Sequence, residues 1–190
     1  MAKNLKYLVI HCTATPPSMA VPPELIRQWH LAPRDLDGGK VRYMGRTYGS
    51  RNELPNDTLN GHPVRELDGR GWSVVGYSVL VERGGLMHVL HHFNDDRVVD
   101  AWEVTNGVAG HNSVSRHIAY VGGLDEHLRP RDTRTQYQKA TLEKLVKRMV
   151  QMWPEVKVVG HHDLDPGKAC PSFDVAKWGR SIGLSPSNLL

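Results

Sequence analysis

A chain of 190 residues with 39% hydrophobic and 23% charged residues has the size and balance of one soluble domain that can bury its own core without disulfide staples. No apolar run approaches the roughly 20 residues needed to cross a bilayer, which excludes a membrane-spanning helix. The formal net charge of +4 suits an anionic polymer as partner and, more simply, suits solubility; it does not by itself argue for nucleic acid or membrane.

The first six residues are basic in flavour but precede no apolar leader or small-residue cleavage site, so the expectation is a cytoplasmic chain without a signal peptide. Lys6 to Ile10 reads as a buried strand and ends in the small polar loop His11-Cys12-Thr13-Ala14-Thr15. Pro22 to His30 reads as a short helix with proline and Glu24 in its first turn. Pro33 to Gly71 is rich in Gly, Pro, Asp and Asn, and is expected to hold a small hairpin or helical turn of its own without a second hydrophobic core. Trp72 to Glu82 returns to strand character, and Arg83-Gly84-Gly85 turns it into Leu86 to Leu90 as a hairpin. Arg116 to Val121 is another strand, closed by Gly122-Gly123.

The clearest helix spans Thr135 to Trp153. Thr135 and Gln138 make a capping box, and Leu142, Leu145, Val146, Met149, Val150 and Trp153 fall on one face before Pro154 stops the helix. Val156 to Val159 then forms a last strand before Gly160-His161-His162. The mixed order of elements predicts an α/β fold, a central mixed β-sheet flanked by helices, in one domain over residues 1–190 with a long insertion at about 33–71.

His11 follows the first strand, His161 follows the last, and Cys170 lies nine residues beyond His161 across the turn Asp165-Pro166-Gly167. If those strands are neighbours, two imidazoles and a thiolate converge with a fourth coordination position open, as catalytic zinc requires. Zinc there would acidify water and polarise a carbonyl. The plainer readings are hydrogen-bonded histidines and a buried thiol, and residue spacing alone leaves the two evenly matched.

Several segments go further. Val9-Ile10-His11-Cys12-Thr13-Ala14-Thr15, Ile26-Arg27-Gln28-Trp29-His30, Val75-Gly76-Tyr77, Val121-Gly122-Gly123-Leu124-Asp125, Val159-Gly160-His161-His162 and Lys168-Ala169-Cys170-Pro171-Ser172-Phe173-Asp174 resemble, in order, the type 2 peptidoglycan amidases. That family includes phage lysozyme-amidases, bacterial recycling amidases and animal peptidoglycan recognition proteins. The resemblance implies an N-acetylmuramoyl-L-alanine amidase holding Zn²⁺ on His11, His161 and Cys170. It further implies Tyr77 as the tyrosine beside the metal and Lys168 as the lysine that supports the transition state. The implied partner is peptidoglycan or a muropeptide, reached through a phage holin or, for a recycling enzyme, met in the cytosol.

Three departures qualify what carries over. Most relatives have a short link where this chain has the Pro33–Gly71 insertion, which is expected to border the substrate groove. The His-Ala pair that many relatives have near the groove is replaced by Asn106-Gly107-Val108-Ala109-Gly110-His111-Asn112, leaving His111 or Asn112 as candidate peptide contacts. The spacing from His161 to Cys170 is one residue longer than in the phage pattern, so His162 stands as an alternative ligand. Two alternatives in function remain from the same resemblance: a non-catalytic peptidoglycan-binding protein, and a lysin that also inhibits a phage RNA polymerase.

Overall fold

The computed structural model describes residues 2–190. They fall into two compact units, one formed by the N-terminal segment to Ala20 together with Tyr77–Leu190, the other by Val21–Gly76.

The larger unit is built on a five-stranded sheet of β1 (Tyr7–Cys12), β2 (Val79–Val81), β3 (Met87–Val89), β4 (Ser115–Tyr120) and β5 (Lys157–Gly160). Their order is β5-β1-β4-β2-β3. The pairs β5–β1, β1–β4 and β4–β2 are parallel and the β2–β3 hairpin is antiparallel, so the sheet is mixed as expected. Strands β1 and β4 are buried along nearly their whole length; β1 accordingly opens on an apolar run rather than an alternating pattern, whereas β4 carries Ser115, Arg116 and His117 into the interior.

Successive side chains point to opposite faces. On one face Leu8, Ile10, Cys12, Ile118 and Tyr120 join Leu142, Val146 and Met149 of the long helix Gln136–Met152 in the main core, with Trp153, Val175 and Trp178. Tyr7, Val9 and His11 of β1 point to the other face, where Val9 meets Val108 and Val159. Thr135 caps the long helix as the sequence predicts: its side chain accepts from the Gln138 N–H at 3.1 Å while the Gln138 Oε1 accepts from the Thr135 N–H at 3.0 Å.

The expected strand over residues 72–82 is shorter than its composition suggests, because only Val79–Val81 pairs. The Trp72 N–H donates to the His30 carbonyl at 3.0 Å and the Gly76 N–H to His30 Nδ1 at 3.1 Å, so these backbone groups are satisfied outside any ladder.

The smaller unit holds the helix Pro23–Leu31, a three-stranded antiparallel sheet of Arg34–Asp35, Val41–Tyr43 and Arg46–Tyr48, and the two-stranded pair Thr58–Leu59 with His62–Pro63. A hairpin of its own was expected in this stretch; a hydrophobic cluster was not. Val41, Tyr43, Leu54 and Val64 nevertheless pack together, buried and drawn from positions too scattered to show periodicity. The Arg51 guanidinium ties the unit down, bonding Asp35 at 2.8 Å, the carbonyls of Arg65 and Leu67 at 2.9 Å each, and Asp68. Among the described residues no helix is long and apolar enough to cross a membrane.

Candidate metal centre

Because β1 and β5 are adjacent and parallel, with Val159 opposite Val9 and Gly160 opposite Ile10, their C-terminal ends emerge side by side. His11 stands one residue before the end of β1, and His161 opens a four-residue helix directly after β5. Asp163 fixes that turn by accepting the Gly160 N–H at 2.6 Å. Gly160 is required for a steric reason, since a Cβ there would lie 2.8 Å from Pro171 Cδ and 3.2 Å from the His162 ring.

The loop beyond folds back through Asp165, whose N–H donates to the His161 carbonyl at 2.9 Å and whose carbonyl accepts from Lys168 N–H at 3.0 Å. Tyr120 on β4 anchors its far side by donating its hydroxyl to the Pro171 carbonyl at 2.6 Å.

This path returns Cys170 to the strand ends. His11, His161 and Cys170 each offer a ligand atom, and those atoms lie within 4.8 Å of one another. Cys170 Sγ is 3.7 Å from His11 Nδ1 and accepts the Cys12 N–H at 3.2 Å. A tetrahedral site with metal–nitrogen and metal–sulfur bonds of about 2.0 and 2.3 Å separates those two donors by roughly 3.5 Å, so the spacing fits a cation. His162 is engaged elsewhere: its N–H and its Nδ1 lie 2.8 and 3.1 Å from the Cys170 carbonyl, and its Nε2 lies 3.1 Å from Asp163.

The electrostatics suit neutral imidazoles. Burial lowers the pKa of His161, an effect the Asp165 carboxylate only partly offsets. The neighbouring Cys12 thiol and burial push the Cys170 thiol upward, so a cation is what would draw its proton off. The Tyr77 ring lies 5.1 Å from that of His11, and the His161 ring 4.7 Å from it. Lys168 is exposed on the loop, and its charge acts on both His161 and Cys170.

His111 and Asn112 are placed away from this cluster. The His111 ring packs edge-on against Tyr7, at the start of β1 and about 13 Å along the strand from His11, while Asn112 Oδ1 accepts the Val108 N–H at 2.7 Å. One residue at the cluster escapes sequence reasoning. His117 in β4 is fully buried with its Nδ1 3.0 Å from His11 Nε2, and burial followed by the charge of His161 lowers its pKa to about 3. The signal available was its parity: Ser115, His117 and Ala119 share a face, and the register sets His117 beside Val9 and Ala119 beside His11.

This geometry can be set beside known proteins. The endolysin of Enterobacteria phage K11 is 28% identical over 179 residues, covering 94% of this chain and 88% of the phage protein. The amidase LysC from Clostridium intestinale superposes with a TM-score of 0.59 at 15% identity, covering 96% of this chain and 87% of that one. A Drosophila PGRP-LB variant in complex with tracheal cytotoxin superposes with a TM-score of 0.55 at 15% identity, covering 97% and 88%. Both superpositions speak for the fold. Residues 1–173 match the family described as N-acetylmuramoyl-L-alanine amidase, a span that runs from before His11 to beyond Cys170, and the chain belongs to that family.

Proposed function

We propose that this chain is a zinc amidase that hydrolyses the bond between N-acetylmuramic acid and L-alanine in peptidoglycan or muropeptides. The observation that carries the reading is the convergence of His11, His161 and Cys170 donor atoms within 4.8 Å at the ends of adjacent strands. The donor set, two neutral imidazoles and a soft sulfur, favours zinc over the oxygen-seeking cations. His11, His161 and Cys170 would hold the ion through three donors, and it would supply Lewis acidity toward the substrate carbonyl.

The remaining steps belong to side chains. Amide cleavage builds negative charge on the former carbonyl oxygen, and the exposed ammonium of Lys168 is a flexible cation able to meet it. Tyr77, against the His11 ring, orients a reacting group through its hydroxyl. The Cys12 N–H holds Cys170 Sγ in place. Like its endolysin relatives, the chain would act on the cell wall.

Incubating the purified protein with peptidoglycan, with and without a chelator, tests this. The expected products are free peptide amino termini with no new reducing sugar ends, and the chelator stops their release. New reducing ends would mean a glycosidase; binding without any release would mean a non-catalytic recognition protein. Either outcome overturns the proposal.

A further inference from the structure

A ligating imidazole gives one nitrogen to the cation, and the other carries a proton whose acceptor fixes the ring. In His11 the Nδ1 atom faces Cys170 Sγ at 3.7 Å, while Nε2 lies 3.0 Å from His117 Nδ1. His117 is fully buried, and its own Nε2 has no hydrogen-bond partner. The ring is closely housed: a Cβ on Gly107 would fall 2.2 Å from His117 Nδ1 and 2.4 Å from its Cγ, so the glycine is what leaves room for an imidazole here.

We propose that His117 is a positioning residue of the metal centre, whose Nδ1 accepts the Nε2–H of His11 and so presents His11 Nδ1 to the ion. This rests on the reading of His11 as a ligand. Two proton arrangements satisfy the nitrogen–nitrogen contact. Were His117 to donate from Nδ1, His11 Nε2 would be the acceptor and His11 Nδ1 would hold the proton, closed to a cation. Ligation through Nδ1 therefore sets the order: proton on His11 Nε2, lone pair on His117 Nδ1, and the single ring N–H proton of His117 on its Nε2. The acceptor also has a chemical consequence. Ligating histidines are often paired with a carboxylate; a neutral imidazole adds no negative charge, so a divalent cation with one thiolate keeps a net positive charge and its pull on a carbonyl oxygen.

The test uses the full chain and reads zinc directly. In zinc-loaded, nitrogen-15-labelled protein, a coupling across the hydrogen bond should join His11 Nε2 to His117 Nδ1, with the proton on His11. Competition against a chromophoric chelator should show His117→Leu binding zinc about 10–100-fold more weakly. His117→Asn, whose Oδ1 replaces the lost acceptor, should recover most of that affinity. A proton found on His117 Nδ1, or a folded His117→Leu protein that binds zinc as tightly as the parent, overturns the inference. Should His117→Leu not fold, the coupling in the parent and the affinity of His117→Asn decide. His11→Ala separates the two readings. If it binds zinc as well as the parent, or if the parent binds none, the metal-centre reading itself fails; if it loses zinc while His117→Leu does not, only the role of His117 falls.

Discussion

Single side chains in this protein trade solvation for contact, and His30 shows the consequence. It is 6% exposed, stacked on Trp72 at 5.0 Å, and its Nδ1 accepts the Gly76 N–H. Burial, reinforced by the charge of Arg70, lowers its pKa from 6.5 to about 4. The folded state thus stays neutral where the unfolded chain takes up a proton. Stability from this residue is complete above pH 6.5 and is lost as the pH falls from 6.5 toward 4, by about 3 kcal/mol in all. Hydrogen exchange of the Gly76 amide, corrected for its intrinsic rate, should lose protection by roughly a hundredfold across that window; a flat profile would count against a neutral, buried His30. Legibility at this scale followed position. His11 and His161 stand out in the sequence because they sit just where apolar runs stop, and Cys170 because a turn-forming Asp165-Pro166-Gly167 can fold it back toward them. His117 does not, since a histidine between Arg116 and Ile118 carries no mark until the strand register turns it toward His11. Arg116 hides likewise: the structure buries it completely, paired with Glu103 at 3.1 Å and stacked over Phe93.

Elements are held in place by a few polar groups that serve several partners at once. Gln138 is fully buried; it caps Thr135 and also donates from Nε2 to the carbonyls of Val81 and Val121, at 3.1 and 2.9 Å, where β2 and β4 end. Replacing it with leucine leaves buried polar groups unpaired and should cost about 3 kcal/mol in urea denaturation. Gln138→Glu sets a carboxylate against two carbonyl oxygens and should cost at least as much at pH 7. It should regain stability as the pH falls, because the protonated acid can donate again; a glutamate variant insensitive to pH would refute this account. The helix that begins here was legible because its apolar face repeats every three and four residues and its cap is local. The strand over residues 72–82 was overestimated because its composition is that of a strand while the N–H groups of Trp72 and Gly76 bond to His30 rather than to a neighbouring strand.

At the level of the whole molecule, the five-stranded sheet was foreseeable from alternating strands and helices, whereas the cluster in Val21–Gly76 was not, because four apolar residues scattered through polar turns make no pattern. That unit contributes none of the three candidate donors. Leu54, 1% exposed within its cluster, gives the corresponding prediction: Leu54→Ala should destabilise the unit by about 3 kcal/mol in hydrogen exchange. Zinc affinity should stay within about twofold of the parent, and a larger loss would show the centre leaning on this unit. The adjacency of β1 and β5 carries a last consequence, for biosynthesis. A ribosome delivers His11 some 160 residues before Cys170. The β5 edge must then dock beside a strand made long before, a contact of very high sequence separation and correspondingly slow to close. A nascent or prematurely terminated polypeptide that stops short of Cys170 therefore lacks one of the three candidate donors, which makes their convergence a long-range event that waits on β5 docking.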